Sequence, residues 1–533
     1  MTSFSISNKI SALWLRKLKG NEDIFPLLPS LVPVIILVGL FLMILAFKES
    51  KEKAPLPPGP RGLPIIGYLP FLGHNLHQLF MELAQSYGPI YKLSIGQKLC
   101  IIISSPSLAK EVVRDQDIIF ANRNPTIAAS AFSYSGKDIA FQPYGPEWRL
   151  LRKIFVKQMQ SNTHLDAFYP LRRNEVRKSV GFVCTKIGNP VNIGELAFTT
   201  VINMISGMFW GGTLEGDAGI NVGVKFREAA TELVEILGRP NVSDFFPFLA
   251  RFDIQGIEKE MKKASGKIEK IYDFVIDEWI RKDKAGREED EQNQKKDFLN
   301  FLLEFKDGDT GKSISRTQIK ALLMDIVVGG TDTTSTTMEW ALSEMMLHSE
   351  VMKIAQEELT EVVGANNIVE ECHIYRLPYL QAIVKEAMRL HPVAPLLLPR
   401  SPSQPSNVGG YTIPKGAKVF LNAWAMHRDP EFWENPSEFQ PTRFLGDANN
   451  KLDYYGKHLH YIPFGSGRRI CAGLQLGERM LMYVLATFLH MFIWELPNGA
   501  KVDTLEKLGA VLEKSTPLVV VPSPRLSQPD LYL

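Results

Sequence analysis

Of the four cysteines in this chain, one stands in a setting built for chemistry. The stretch is Pro463-Phe-Gly-Ser-Gly-Arg-Arg-Ile-Cys-Ala-Gly473. Two glycines and a proline specify a tight loop, after which an amphipathic helix is expected to begin at Cys471 and run to about Met491. A helix N-terminus offers unpaired N–H groups and positive dipole charge, and both favour a thiolate. Arg468 and Arg469 add positive charge nearby, and Gly473 permits a flat partner to come close. A lone thiolate so placed suits a haem iron better than zinc, which takes three or four protein ligands. Cys100, Cys184 and Cys372 have no such setting and read as small buried hydrophobes.

Three more constellations carry chemical potential. Gly329-Gly-Thr-Asp-Thr-Thr334 falls inside a long apolar helix expected over Thr317–His348, whose 32 residues would span about 48 Å. Glycine costs about 1 kcal/mol against alanine in a helix, and Thr and Asp are weak helix formers. Local rules broken inside a strong helix mark either a chance defect or a functional site. A Thr hydroxyl bonded to a carbonyl one turn back can open the ladder, leaving a groove for oxygen and water. Glu386 and Arg389 share a helix face at a spacing of three, a pair worth little on a surface. Trp148 and Arg152 share a face at a spacing of four.

On these residues the chain resembles the cytochrome P-450 haem-thiolate monooxygenases of the plant microsomal type. Phe464-x-x-Gly467-x-Arg469-x-Cys471-x-Gly473 matches that family's haem-binding signature at every fixed position. The resemblance implies haem b as cofactor and Cys471 as its proximal iron ligand. Phe464 would pack beside the sulfur. Trp148, Arg152, Arg400 and Arg469 would meet the haem propionates. It makes Glu386, Arg389 and Arg443 a buried triad serving folding and haem retention; Thr442 stands where the family commonly has Glu. It gives Thr333 the ordering of water beside the oxygen molecule, and Asp332 the relay of protons from solvent. Arg149, Lys153 and Lys157 are then either a solvated basic face or a dock for an acidic electron donor.

These residues need a scaffold, and the sequence outlines one. The resemblance implies the cytochrome P-450 fold: mainly α with a small β part, one large haem-binding domain over residues 62–533. Gly88–Ser104 reads as a hairpin turning near Gly96-Gln97, and Gly409–Asn422 as strand, turn and strand around Pro414-Lys-Gly416. Arg281–Asp297 is a charged run expected to be a solvated loop. From Ile24 to Phe47 the chain has 24 residues without a charge, enough for a transmembrane helix, which needs about 20. Residues 1–23 precede this anchor; a basic stop and Pro-rich hinge follow at 48–61. A cleaved signal peptide or a transit peptide are the competing readings of this end. Charges flanking the span are balanced, so orientation is not signalled by them. The expected location is the endoplasmic reticulum membrane, single-pass, with the catalytic domain cytosolic.

Composition excludes other classes. Hydrophobic residues make up 45% and charged residues 22% of 533, which rules out a disordered or fibrous chain. Lys plus Arg is 60 against 58 Asp plus Glu, so no basic field exists for nucleic acid. By family position the substrate-facing residues should include Phe132, Tyr134, Asp325, Ile326, Gly329, Val393, Leu396, Leu397 and Thr516. They are mostly apolar, with no cation to clamp an acid, which fits a neutral lipophilic substrate. A terpenoid, most of all a sesquiterpene, is the first expectation and a flavonoid or other phenolic the alternative. Electrons would come from an NADPH-dependent flavoprotein reductase and oxygen from O2. A reductase-independent peroxide-rearranging haem enzyme and a non-catalytic binding protein are the competing classes. The Asp332-Thr333 pair argues against the former, the intact Cys471 loop against the latter.

Overall fold

Alternation decides the first strand. Tyr91, Leu93 and Ile95 point into the core from β1 (Ile90–Ile95), which follows α1 (Leu76–Tyr87). It pairs antiparallel with β2 (Lys98–Ile103), Ile90 facing Ile103 and Ile95 facing Lys98, across the expected Gly96-Gln97 turn. The computed structural model describes residues 55–211, 216–284, 298–306, 311, 313–446 and 452–532, and residues 56–533 form one compact unit. The candidate membrane span at 24–47 and most of the charged run at 281–297 lie outside the described residues.

Helices make up most of the rest. They include α2 (Pro146–Ile154), α3 (Tyr169–Cys184), α4 (Ile193–Trp210), α5 (Gly216–Leu237), α6 (Ile257–Lys284), α7 (Arg316–Gly330), α8 (Asp332–Leu347), α9 (Ser349–Val363), α10 (Pro378–Leu390) and α11 (Leu474–Met491). α4 is long and apolar enough to cross a membrane, but it is a core helix: Met204, Ile205, Met208 and Phe209 are fully buried against its neighbours.

The small strands, in chain order, are β3 (Val191–Asn192), β4 (Ser406–Val408), β5 (Tyr411–Ile413), β6 (Lys418–Leu421), β7 (Phe492–Glu495), β8 (Glu506–Leu508), β9 (Leu512–Lys514) and β10 (Val519–Pro524). The strands on either side of Pro414-Lys-Gly416 do not pair with each other. β5 pairs with β4, while β6 runs parallel to β2, Ile101 beside Val419, completing a three-stranded sheet. β10 joins β3 to β7, and β8 and β9 form a hairpin.

One expected helix is two. The span 317–348 breaks at Thr331 into α7 and α8. Side chains compete for the carbonyls there. Thr331 Oγ1 donates to Val327 O at 2.7 Å, and Thr333 Oγ1 donates to Gly329 O at 2.7 Å. α7 itself starts on a capping box between Ser315 and Gln318.

Candidate active site

The cysteine loop is built by backbone geometry before any side chain acts. Gly465 and Gly467 both hold positive φ, 73° and 70°. A Cβ on Gly467 would sit 2.3 Å from Val113 O and 2.9 Å from Asp117 Oδ1, so only glycine fits. Asp117 ties the loop from outside: it accepts from the Arg468 backbone N–H at 2.9 Å and pairs with Arg400 at 3.2 Å. The Cys471 N–H donates to Phe464 O at 2.9 Å, closing the turn. Phe464 thus meets Cys471 through its backbone, while its ring packs edge-on to Tyr454 at 5.6 Å.

Cys471 lies just before the helix, since α11 starts at Leu474 with Gly473 as its cap. Its sulfur accepts from the Gly473 N–H, and that bond together with the Arg152 charge draws the thiol pKa down; burial outweighs both and pushes it up. This corrects two expectations. The net shift of the free thiol is upward, and the helping cation is Arg152, not Arg468 or Arg469. Arg468 turns to Asp117, and Arg469 spends its donors on carbonyls. Cys471 is nevertheless an exposed residue although protein surrounds its thiol, so it lines an internal cleft.

Guanidiniums converge on that cleft. Arg469 donates to Ala121 O at 2.6 Å and to Ile139 O at 3.0 Å. Arg152 donates to Ile470 O at 2.7 Å, and Arg400 to Ser466 O at 2.6 Å. Trp148 stands between Arg469 and Arg152, 4.5 and 5.5 Å from its ring, and its indole N–H goes to Ile139 O at 2.9 Å. A fourth cation was missed by sequence reasoning. Arg123 donates to Ala140 O at 3.3 Å and to Pro399 O at 3.1 Å. Burial first, then the Arg400 and Arg469 charges, hold it well below the ordinary arginine range. Burial, then Arg400 and Arg152, bring Arg469 down to about 10. Four guanidiniums, two of them (Arg123 and Arg469) depressed by the charges of the others, gather with Asp117 and Asp138 beside them and make a site for further anionic charge. Arg123 stands in Asn-Arg-Asn, a setting with no local signal; only the fold brings it to the others.

The other half of the expected site is the break between α7 and α8. A Cβ on Gly329 would meet nothing within 4 Å, although Ile326 and Val327 beside it are buried. Asp332 follows the break; burial, and then the Glu513 charge, raise its carboxyl to about 6. Its Oδ2 is buried without a hydrogen-bond partner in the protein.

The remaining expected residues divide. Gly329 and Thr516 are open, and Leu397, at a strained φ of 51°, leans to the cysteine loop, 3.8 Å from a Cβ placed on Gly465. Phe132 and Ile326 are buried in the main core, and Leu396 packs with the β1–β2 sheet. Tyr134 holds φ at 52° with its hydroxyl buried. The carbonyl of Val393 takes the Leu512 N–H at 2.9 Å. Asp325 is not a free acid in the pocket: its Oδ2 accepts from Ile139 N–H at 2.6 Å and its carboxyl faces Asp138. Burial and the Asp138 charge hold its pKa well above the ordinary range, so the pair retains a proton.

Glu386, Arg389 and Arg443 come together behind the site. Glu386 and Arg389 are fully buried and bidentate at 2.7 and 2.8 Å, and Arg443 adds a contact at 3.3 Å. Arg389 also donates to the carbonyls of His427, Pro436 and Glu438, pinning the segment before the cysteine loop. Thr442 is exposed, so the departure from Glu disturbs nothing in the triad. Arg149, Lys153 and Lys157 are exposed on and just beyond α2.

Among the described residues no three of His, Cys, Asp and Glu converge as a metal site. The enclosed thiol, the open space over Gly329 and the guanidinium cluster fit a flat iron macrocycle bearing carboxylates.

Comparison with known proteins agrees. The family model described as "Cytochrome P450" matches residues 57–521. A flavonoid 3',5'-hydroxylase of Solanum melongena is 39% identical over 503 residues, 94% of this chain and 96% of that protein. A carnosic acid synthase of Salvia pomifera is 38% identical over 477 residues, 88% and 93% of the two chains. The solved zebrafish cytochrome P-450 with progesterone superposes with a TM-score of 0.68 at 25% identity, covering 84% of this chain and 99% of that one.

Proposed function

Because the chain belongs to the cytochrome P-450 family and is an oxygen-incorporating oxidoreductase of plant type, we propose that it hydroxylates a flavonoid or related planar phenolic. The observation that carries this reading is the relatives: flavonoid hydroxylases from Solanum melongena and Petunia hybrida align over 94% and 90% of the chain. They favour the flavonoid over the sesquiterpene, reversing the order that pocket polarity alone suggested. The carnosic acid synthase supports a terpenoid as second reading.

The family implies a haem-thiolate cofactor, a redox partner, O2 and a lipophilic substrate. We take the cofactor to be haem b on Cys471, its carboxylates met by Arg123, Arg152, Arg400 and Arg469, with Trp148 spacing the cations. Bound there, haem supplies activation of dioxygen and insertion of one oxygen atom. The chain's own residues do the rest. Asp332, its carboxyl raised by burial to about 6, exchanges a proton between solvent and the break above Gly329, a role that needs a pKa near the working pH. Thr333, its hydroxyl proton on Gly329 O, keeps two lone pairs to order water there. The apolar walls exclude bulk water and orient the substrate. The electron donor is an NADPH-dependent reductase, and the exposed face of Arg149, Lys153 and Lys157 suits an acidic one. The chain is anchored by residues 24–47 in the endoplasmic reticulum membrane.

The test is reconstitution with such a reductase, offering a flavanone and a sesquiterpene side by side. Hydroxylated flavanone is expected. Product from the sesquiterpene alone would give the second reading, and product from neither would reject both.

A further inference from the structure

Loop 515–517 runs into Leu518, which α8 and α4 hold together. Leu512 and Leu518, which flank it, are buried, whereas Ser515, Thr516 and Pro517 are exposed. Leu518 has no backbone freedom. Its N–H donates to Glu339 Oε1 at 2.8 Å, and its carbonyl accepts from Ile193 N–H at 2.9 Å. Glu339 is itself buried, and residue 194 is a glycine beside it: a Cβ there would lie 2.8 Å from Glu339 Oε2. One residue further along α8, Trp340 donates to Leu512 O at 3.0 Å, and Leu512 N–H runs on to Val393 O. Lys514 lies 4.9 Å over the Trp340 ring. The helix that carries Asp332 and Thr333 at its start therefore fixes, two turns later, Leu512 before the exposed turn and Leu518 after it, while the Ser515 N–H donates to Leu505 O at 2.7 Å.

We infer that Glu339 is a positioning residue for substrate selectivity: its carboxylate sets where Ser515, Thr516 and Pro517 stand, in a turn whose preceding strand is bonded through Leu512 to the Val393 segment, and through them which way a substrate lies. This rests on the reading of the cleft as the haem and substrate site. A buried carboxylate that accepts a single backbone N–H acts through reach as much as charge, because a hydrogen bond is lost within an ångström of stretch. Glu339→Gln keeps the reach and an acceptor oxygen; Glu339→Asp keeps the charge and loses the reach.

The experiment compares these variants with the full-length holoenzyme by spectral titration with isomeric phenylimidazoles, whose ring nitrogen binds iron and whose phenyl group probes the pocket wall. Glu339→Asp should change the ratio of affinities among isomers about fivefold or more, while Glu339→Gln should keep it within about twofold. Equal shifts in both variants, or none in either, would overturn the inference. Absence of any spectral shift in the unsubstituted holoenzyme would sink the reading of the cleft as well, whichever substrate class is correct. Should the Asp variant fail to load haem, amide exchange in the unsubstituted holoenzyme serves. The Leu518 N–H should exchange as slowly as the core of α8, and exchange as fast as an open loop would overturn the proposal.

Discussion

Two glycines, one in the cysteine loop and one in α7, behave oppositely. At Gly467, in the cysteine loop, an added Cβ would strike Val113 O at 2.3 Å in a left-handed backbone; at Gly329, in α7, it would meet nothing within 4 Å. The first region is over-determined: positive φ, Asp117, Arg400 and the Arg389 network all demand one loop conformation. The second is left open, with a broken helix, a side chain on a main-chain carbonyl and a buried Asp332 oxygen without a partner. On the proposed function, the cysteine side would be rigid because one atom must be held, and the side at the helix break would keep room because several molecules must pass.

The largest effect expected from breaking this contrast is at Gly467. Gly467→Ala forces either Val113 or the loop to move and should destabilise the holoenzyme by about 3 kcal/mol, read as lost haem content and a lowered Tm. Asp332→Asn should do the reverse to stability. A carboxyl raised on folding favours the folded state below its unfolded pKa, and loses that contribution as pH rises through the folded value of about 6. Replacing it should therefore stabilise the holoenzyme by about 2 kcal/mol near neutral pH, the gain closing toward about pH 4. Equal Tm values across that range would show that the carboxyl is not buried as described. Thr333→Ala should leave haem binding intact and lower product per NADPH about tenfold, with peroxide rising in its place; unchanged coupling would remove Thr333 from the proton path. Gly329→Ala is the smallest change: helix stability should rise by about 1 kcal/mol while substrate affinity falls, since the methyl enters open space. A loss of stability there would mean that the two glycines do not differ as argued.

What was legible in the sequence follows the same divide. The cysteine loop packs its requirements into eleven consecutive residues, and Glu386 and Arg389 sit on one helical face, so local spacing reports them. The hairpin at Ile90–Ile103 was readable from alternation. Arg123 was not, because its meaning comes from Arg400 and Arg469, hundreds of residues away, and no pattern surrounds it. The opening of the ladder within Gly329–Thr334 was readable from its Thr hydroxyls, but not that it would end one helix and start another, since that outcome hangs on which hydroxyl takes which carbonyl. Asp325 looked like an acid facing the substrate until Asp138 and the Ile139 amide claimed it. The strands at 411–413 and 418–421 were found, but sequence alone gave no reason for β6 to choose β2 over its neighbour. The substrate wall, drawn from segments near 132, 325, 396 and 516, was the least legible part, and relatives rather than polarity reordered its reading.

The central claim is that the Cys471 loop holds an iron macrocycle by its thiolate. The most direct measurement is the reduced, carbon monoxide-bound difference spectrum of membranes expressing the chain, beside Cys471→Ala. A strongly red-shifted Soret band in the first and none in the second is the result expected. The same band surviving in Cys471→Ala, or no band from abundant unsubstituted protein, would contradict the account.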